Sequence, residues 1–331
     1  MLQNAIPTLR FLASDPVSRA RIGQTPHRVV FKQGPATLRC FEPEQVTRAP
    51  IFICMPLINT WTIWDLLPGR SVVQALLQTG APIYLLDWGT PGPEDLRLEI
   101  SDLVDERLGR MLDRARRDAQ VEELDAIGYC VGGTFLALHL ARNPSPVRRL
   151  CLVCTPIDFH ASGRLSTWAN PDSFPVDQLV EGLGNFPGEL MQQSFQWLNP
   201  LGTWKKLKSL DRRVESPEFQ ELYAALERWS GTAVEFPGQV YRAYVRGCYF
   251  DNALIEGGWS FGGRTTDLAA ATMPVLTLAG DRDHICPAAA AHALESVWGG
   301  PVSTRTLSGG HVGLSLDPRF HAALTEWVEQ A

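Results

Sequence analysis

The chain has no long hydrophobic run and no export signal. No apolar stretch approaches the ~20 residues that a bilayer-spanning helix needs. The N-terminus also lacks a basic segment followed by an apolar one, which is the pattern of a secretory signal. We therefore predict a protein without a transmembrane segment, located in the cytoplasm.

A concentrated positive charge is also lacking. The 331 residues include 30 Lys and Arg against 36 Asp and Glu, which gives a net charge of −6. The arginine clusters at 110–117 and 212–213 are interleaved with acidic residues, which is typical of solvated helix faces. Because nucleic-acid binding needs a basic surface, no nucleic-acid partner is expected.

The cysteines form no pattern typical of a metal site or a disulfide framework. Their number is seven, and an odd count fits a reducing compartment. The one C-x-x-C pair, Cys151 and Cys154, lies in an apolar run without a matching histidine pair. Both are interpreted as small core residues, and neither a metal site nor a bound cofactor is predicted.

Predicted strands and helices alternate over much of the chain. After a hairpin formed by residues 28–32 and 37–41, each apolar strand is followed by a helical pattern. This rhythm predicts an α/β fold with a mostly parallel sheet flanked by helices. The predicted strands are 50–55, 82–86, 125–128, 149–154, 275–279 and 303–307, and the predicted helices are 71–78, 94–117, 131–142, 288–297 and one from 318.

The alternation of predicted strands and helices is interrupted between residues 159 and 264. This stretch combines several prolines with aromatic-rich helical segments. We predict a helical cap (lid) insertion at 159–264, within a core formed by residues 1–158 and 265–331. The alternative is an insertion that enlarges the protein without covering an active site.

The segment Gly128-Tyr-Cys-Val-Gly-Gly133 follows a predicted strand and begins a predicted helix. This is the arrangement of a nucleophile elbow, with Cys130 where esterases have serine. The tight turn requires small residues two before and two after the nucleophile. The helix N-terminus favours a thiolate, and the N–H of Val131 can donate to an oxyanion. Cys130 is therefore the predicted nucleophile; the alternative is a buried cysteine in a glycine-rich turn.

An activated cysteine requires a base, and His311 is the candidate. It lies in a glycine-rich loop between the last predicted strand and the final helix. The base of an elbow enzyme lies there, after the nucleophile and the acid in chain order. The other histidines are interpreted as packing, surface or element-end residues: His27, His139, His160, His292 and His321.

Two aspartates are candidates for the carboxylate that orients the imidazole. Asp281 and Asp283 both follow the predicted strand 275–279. Asp283 precedes the short apolar step towards Pro287 and is the predicted acid, whereas Asp281 is predicted to shape the turn. The second oxyanion donor should come from the loop after strand 50–55, where the N–H of Ile58 is our candidate.

These motifs resemble the polyhydroxyalkanoate (PHA) synthases, in particular the catalytic subunits of class III. The resemblance runs from about Pro50 to the end of the chain and implies the α/β-hydrolase fold. The family's W-x-x-D element reads Trp229-Ser-Gly-Thr232 here, without the carboxylate. The matching segments, in the family's order, are 56–59, 65–66, 70–71, 84–89, 128–134, 262–264, 267–268, 273–276, 283–284 and 310–313.

The resemblance implies an acyltransferase that polymerises (R)-3-hydroxyacyl-CoA, such as 3-hydroxybutyryl-CoA, with release of CoA. Cys130 would carry the acyl group as a thioester, and the CoA thioester would be a substrate rather than a cofactor. Asp283 would orient His311 or activate the incoming hydroxyl, and His284 would tune Asp283. The large N-terminal domain of class I and II enzymes is missing, which implies a second synthase subunit or a homodimer. The implied place of action is the surface of a polyester granule.

Two other functions stay open. A cysteine hydrolase (a thioesterase, an intracellular polyester depolymerase or a dienelactone hydrolase-like enzyme) would use the same residues with water as acceptor. A non-enzymatic granule-associated protein would keep the fold without turnover. The intact set of Cys130, Asp283 and His311 favours an enzyme, and lid geometry decides between water and a hydroxyl as acceptor.

Overall fold

The computed structural model describes residues 4–143, 145–198 and 202–330. The strands in these ranges are β1 (Arg28–Gln33), β2 (Ala36–Phe41), β3 (Ile51–Cys54), β4 (Asp65–Leu67), β5 (Arg70–Ser71), β6 (Ile83–Asp87), β7 (Leu124–Tyr129), β8 (Val147–Val153), β9 (Trp259–Phe261), β10 (Arg264–Thr266), β11 (Val275–Gly280) and β12 (Val302–Leu307).

The α-helices surround these strands and fill the segment between β8 and β9. They are α1 (Ala5–Ala13), α2 (Pro16–Arg19), α3 (Val72–Leu77), α4 (Leu108–Ala119), α5 (Val131–Arg142), α6 (Arg164–Trp168), α7 (Val176–Leu183), α8 (Gly188–Leu198), α9 (Gly202–Arg213), α10 (Pro217–Ser230), α11 (Gly238–Tyr244), α12 (Ala288–His292), α13 (His311–Leu314) and α14 (Pro318–Glu329). None of the helices in the described ranges is long and apolar enough to cross a membrane.

Eight strands form the central sheet, in the order β1-β2-β6-β3-β7-β8-β11-β12. The strand β2 runs antiparallel to both of its neighbours, and the remaining pairs are parallel. This confirms the predicted α/β architecture with a mostly parallel sheet. The predicted hairpin and the predicted core strands all belong to this sheet, with bounds that differ by a few residues.

The central strands of the sheet are buried on both faces because helices cover each side. All four residues of β3 are buried: Phe52 packs on the face that carries α4 and α5, and Ile53 packs on the face that carries α3 and α14. Successive side chains of a strand point to opposite faces, so a strand covered twice is apolar throughout. This explains why the core strands are continuous apolar runs in the sequence.

The carboxyl ends of four neighbouring strands meet at one edge of the sheet. Cys130 follows β7, Cys154 follows β8, Asp283 comes shortly after β11, and His311 comes shortly after β12. In open α/β sheets, ligands bind outside the carboxyl ends of the strands. The topology therefore brings residues that are distant in sequence to one place.

One predicted helix, over residues 94–117, begins later than expected. Residues 93–95 form a 3-10 turn, residues 102–107 are π-helical, and α4 follows. The buried carboxylate of Asp95 accepts hydrogen bonds from the N–H of Gly92 and from Arg107, both at 3.1 Å. This tertiary ion pair holds residues 93–95 in a turn, although their helical spacing is unbroken.

The helices α6 to α11 lie within residues 159–264, the predicted insertion. A short ribbon of β9 and β10 closes this stretch before the chain enters β11. The division of the chain into a core and a cap at these bounds stays a prediction.

A buried ion pair at the start of β7 anchors the strand that leads to Cys130. The carboxylate of Asp125, 1% exposed, lies 2.6 Å from Arg148 and 2.8 Å from Arg149. Removing one partner of a buried pair leaves an uncompensated charge. We expect Asp125→Ala to lower the free energy of unfolding by about 3 kcal/mol, measured by urea denaturation. The control is Asp113→Ala, which removes two helical ion pairs at the surface, with Arg116 and Arg117, and should cost less than about 1 kcal/mol. Equal losses in the two variants would contradict this prediction.

Candidate active site

Cys130 lies at the junction of β7 and α5 in a strained backbone conformation. Its φ is +53° and its ψ is −134°, in a region that residues with a side chain seldom adopt. The N–H of Cys130 donates to the carbonyl of Val153 on β8 at 2.9 Å, which helps to hold the turn. The side chain is half-buried and lines a cavity. Such strain persists only where the surroundings impose it, which is typical of active sites.

Two glycines make this turn possible. A Cβ on Gly132 would lie 2.3 Å from the carbonyl oxygen of Met55, and a Cβ on Gly128 would lie 2.4 Å from the Cα of Gly133. Both contacts are with backbone, which cannot rotate away as a side chain can. The positions two before and two after Cys130 therefore admit glycine alone without a shift of the chain. The same packing places the N-terminus of α5 against the loop that follows β3.

His311 and Asp283 are joined by a short hydrogen bond. The imidazole Nδ1 lies 2.6 Å from Oδ2 of Asp283, whose side chain is fully buried. The other carboxylate oxygen, Oδ1, accepts from the N–H groups of Ile285 and Cys286, both at 2.8 Å. The carboxylate is thereby fixed in orientation, and it fixes the imidazole in turn.

Burial and charge act in opposite directions on this pair. Burial works to raise the pKa of Asp283, but His311 and the two backbone donors outweigh it and lower that pKa below the ordinary 3.8. Burial works to lower the pKa of His311, but Tyr129, Cys130 and Asp283 raise it well above the ordinary 6.5. The pair therefore holds an ionised carboxylate beside a basic imidazole.

Tyr129, which precedes the cysteine, supports His311 in two ways. Its ring stacks on the imidazole with centroids 5.5 Å apart and an angle of 25° between the planes. Its hydroxyl donates to the backbone carbonyl of His311 at 3.2 Å. Sequence reasoning missed this role, because the strand places Tyr129 but only the fold brings the His311 loop over it.

Asp281 and His284, which flank Asp283 at two and one residues' distance, are both exposed to solvent. The carboxylate of Asp281 is exposed and accepts from the N–H of Gly309 at 2.8 Å, so it shapes the turn. The tuning of Asp283 by His284 stays a prediction. The turn directs the amides of Ile285 and Cys286 to the carboxylate, and His284 is left exposed to solvent.

The two predicted oxyanion donors lie on the elements that flank Cys130. Val131 is the first residue of α5, and the amides of the first helical turn have no acceptor within the helix. Ile58 lies in the loop after β3 and lines the same cavity as Cys130. Their roles as donors stay predictions.

A cavity of about 140 Å³ opens above Cys130. The core contributes Ile58, Cys130, Pro156 and Ile285 to its wall, and the predicted insertion contributes the rest, which is mostly aromatic. The aromatic lining residues are Trp168, Phe174, Phe186, Phe195, Phe236, Tyr241, Tyr244 and Tyr249. The sequence showed that the insertion is rich in aromatic residues, but not which of them face the cysteine.

Comparison with known proteins places the chain in a family. A family model described as the alpha/beta hydrolase fold matches residues 62–317. The poly(3-hydroxyalkanoate) polymerase subunit PhaC of Haloarcula marismortui is 30% identical over 323 residues, which cover 94% of this chain and 67% of that protein. The chain belongs to the PhaC family of α/β-hydrolase-fold proteins. The predicted resemblance and fold are thereby confirmed.

Other PhaC proteins match along nearly the whole chain. The PhaC subunit of Allochromatium vinosum is 29% identical over 319 residues, which cover 93% of this chain and 89% of that protein. The PhaC subunit of Haloferax mediterranei is 30% identical over 327 residues, and the chain spans 66% of its length.

Solved structures show the same fold at low identity. A bromoperoxidase from Bacillus anthracis matches with a TM-score of 0.54 at 14% identity, covering 92% of this chain and all of that one. Epoxide hydrolase A from Mycobacterium thermoresistibile matches with a TM-score of 0.50 at 16% identity, covering 92% of this chain and 98% of that one.

The packing of Gly132 on the carbonyl of Met55 gives a test of the elbow in this PhaC-family chain. We expect Gly132→Ala to lower the free energy of unfolding by about 2 kcal/mol or more, because an added methyl group meets backbone. It should also slow alkylation of Cys130 by iodoacetamide, since the turn must shift. The control is Gly182→Ala in α7, where a Cβ meets nothing within 4 Å and a gain of about 0.5–1 kcal/mol is expected. An unchanged Gly132→Ala protein would contradict the tight turn.

Proposed function

We propose that this chain is the catalytic subunit of a PHA polymerase that uses Cys130 as its nucleophile. It joins (R)-3-hydroxyacyl groups, supplied as CoA thioesters, into a polyester. The observation that carries the proposal is the Asp283–His311 hydrogen bond of 2.6 Å beside a cavity that Cys130 lines, in a chain of the PhaC family.

In the first half-reaction the sulfur of Cys130 attacks the thioester carbonyl of the substrate. The imidazole takes the proton of the thiol, and Nε2 serves because Nδ1 is held by Asp283. The amides of Val131 and Ile58 donate to the oxyanion that forms on the carbonyl oxygen. The bond from carbon to the sulfur of CoA then breaks, and His311 returns the proton to the departing CoA.

In the second half-reaction a hydroxyl group attacks the acyl thioester on Cys130. His311 takes the hydroxyl proton, a carbon–oxygen ester bond forms, and the thiolate of Cys130 leaves and regains a proton. Exchange of one thioester for another keeps the acyl group activated for this transfer. An acyl group on serine would be a less reactive ester.

The size and polarity of the cavity support a short hydroxyacyl group as substrate. Its volume of about 140 Å³ is close to the ~150 Å³ that holds one benzene molecule in a protein interior. A 3-hydroxybutyryl group fits such a space. The aromatic walls suit an aliphatic chain and reduce the access of water to the thioester.

The residue corresponding to the tryptophan of the W-x-x-D element connects the insertion to the core. The indole N–H of Trp229 on α10 donates to the carbonyl of Thr60 at 3.0 Å. Thr60 follows the oxyanion candidate Ile58 by two residues. This contact supports a role of α10 in holding that loop, without the carboxylate of the family element.

We also propose that the chain acts in the cytoplasm with a partner, either a second synthase subunit or a second copy. Three large apolar side chains of α8 and α9 support a partner because they are exposed: Leu190, Trp197 and Trp204. Leu190 and Trp197 are seven residues apart and so share one face of α8, and an exposed apolar helix face is typical of an interaction surface. A polyester granule is the proposed place of action, since the growing product is insoluble.

The decisive assay incubates the purified protein with 3-hydroxybutyryl-CoA, with and without candidate partner subunits. Release of CoA together with sedimentable polyester is the expected result. Release of CoA with free hydroxy acid and no polymer would favour a hydrolase. The absence of CoA release in every mixture would favour a non-enzymatic role.

Labelling of the enzyme tests the nucleophile. With substrate labelled in the acyl group, the wild-type protein should carry label that hydroxylamine removes, as expected of a thioester. Cys130→Ala should carry none, whereas Cys151→Ala should keep the label, because Cys151 is buried within β8. Label that survives Cys130→Ala would overturn the assignment of the nucleophile.

The two aspartates of the loop after β11 should differ in their effect on activity. Asp283→Ala removes the partner of His311 and should lower the rate of CoA release by about 100-fold or more. Asp281→Ala removes a turn contact on the surface and should leave that rate within about threefold. The opposite ranking would assign the acid to Asp281.

A further inference from the structure

A second thiol lies against the His311–Asp283 pair. The Sγ of Cys154, a ring nitrogen of His311 and a carboxylate oxygen of Asp283 all lie within 4.8 Å of one another. Cys154 comes directly after β8, the strand between β7 and β11. Its side chain is fully buried, unlike that of Cys130.

The backbone at Cys154 is strained in the same sense as at Cys130. Its φ is +46°, and its N–H donates to the carbonyl of Leu278 on β11 at 2.7 Å. A residue with a side chain holds a positive φ only where its surroundings impose it. The strain therefore fixes the position of this thiol beside the pair.

The thiol is protonated at neutral pH. Burial and the neighbouring Asp283 carboxylate raise the pKa of Cys154 to about 11, although His311 opposes the shift. Cys154 is thus an S–H donor and not a second nucleophile.

The carboxylate of Asp283 has room for this donor. Its Oδ1 accepts from two backbone amides, and its Oδ2 accepts from His311. Two carboxylate oxygens offer about four acceptor sites, so three are used. The thiol of buried Cys154, whose Sγ lies within 4.8 Å of a carboxylate oxygen, is our candidate for the fourth.

We propose that Cys154 is a positioning residue: its S–H group acts on the buried Asp283 carboxylate and thereby sets the orientation and basicity of His311. The proposal rests on the proposed function only for the role of His311 as base. Without the donor, more of the carboxylate charge acts on the imidazole, so His311 keeps its proton to higher pH.

Other titratable groups also face the pair, but they hold no charge that competes. Burial raises the pKa of both Tyr129 and Cys286, so both are neutral. Across the cavity, burial likewise raises the pKa of Tyr244 and Tyr249. Among the titratable groups named here that face the His311–Asp283 pair, only the sulfur of Cys130 is then left to consider.

The test measures the pH profile for alkylation of Cys130 by iodoacetamide, which needs neither substrate nor turnover. Tryptic peptides separate the two sulfurs, since Arg142 and Arg149 lie between them in the sequence. Cys154→Val and Cys154→Ala both remove the donor, the first with a similar volume, whereas Cys154→Ser keeps a donor. Cys151→Val and Cys151→Ser are matched controls, because Cys151 is also fully buried and lies in β8, the strand that Cys154 follows.

In the plot of alkylation rate against pH, one inflection reports the loss of the proton from His311. In Cys154→Val this inflection should shift to higher pH by about 0.5–1 unit. Cys154→Ser and both Cys151 variants should keep the wild-type inflection. Cys154→Ala provides the same measurement if Cys154→Val does not fold, as judged by its melting temperature. The proposal is overturned if the donorless variants show no upward shift, or if Cys154→Ser or a Cys151 variant shifts equally.

The CoA-release assay on the same variants separates this inference from the proposed function. If wild-type protein releases no CoA, the proposed function fails, yet the alkylation profiles still decide the role of Cys154. If CoA is released and only the donorless variants shift, both stand.

Discussion

The hydrogen bond between His311 and Asp283 is the interaction on which the candidate site depends. Its length of 2.6 Å commits Nδ1 to the carboxylate and leaves Nε2 as the ring nitrogen that can exchange a proton. The bond forms because β11 and β12 are adjacent parallel strands whose ends, Gly280 and Leu307, are paired in register. A long-range feature of the sheet thus selects the tautomer of one imidazole.

A steric constraint complements this bond. Cys130 can hold its positive φ because Gly128 and Gly132 pack on backbone without side chains of their own. The close approach of Gly132 to the carbonyl of Met55 also brings the loop of Ile58 to the N-terminus of α5. One contact therefore affects both the direction of the sulfur and the approach of the two predicted oxyanion donors, the amides of Val131 and Ile58. A substitution that changes the direction of the Cys130 sulfur would therefore also move the amides of Val131 and Ile58.

The sequence predicted those parts of the fold and site that short segments encode. Cys130 lies in a strand–turn–helix pattern, and His311 and Asp283 follow apolar strands, so each has a local signal. Cys154 has none, because its contact with His311 depends on β8 lying between β7 and β11. The ion pair of Asp95 with Arg107 is likewise a tertiary contact without a local signal. It holds residues 93–95 in a turn, so the helix begins later than the spacing of apolar residues predicts. A contact that depends on which strands are adjacent in the sheet can be identified only from the three-dimensional structure.

The walls of the cavity limit how the two half-reactions can be catalysed. Burial raises the pKa of Tyr241, Tyr244 and Tyr249, so these phenols can donate a hydrogen bond but cannot take up a proton at neutral pH. Within the described part of the chain, His311 is then the proposed base for Cys130. In the mechanism we propose, one imidazole serves the thiol of Cys130 first and the hydroxyl of the acceptor afterwards. Under that proposed mechanism the acceptor binds productively only after CoA has left with its proton, so departure of CoA precedes each transfer step.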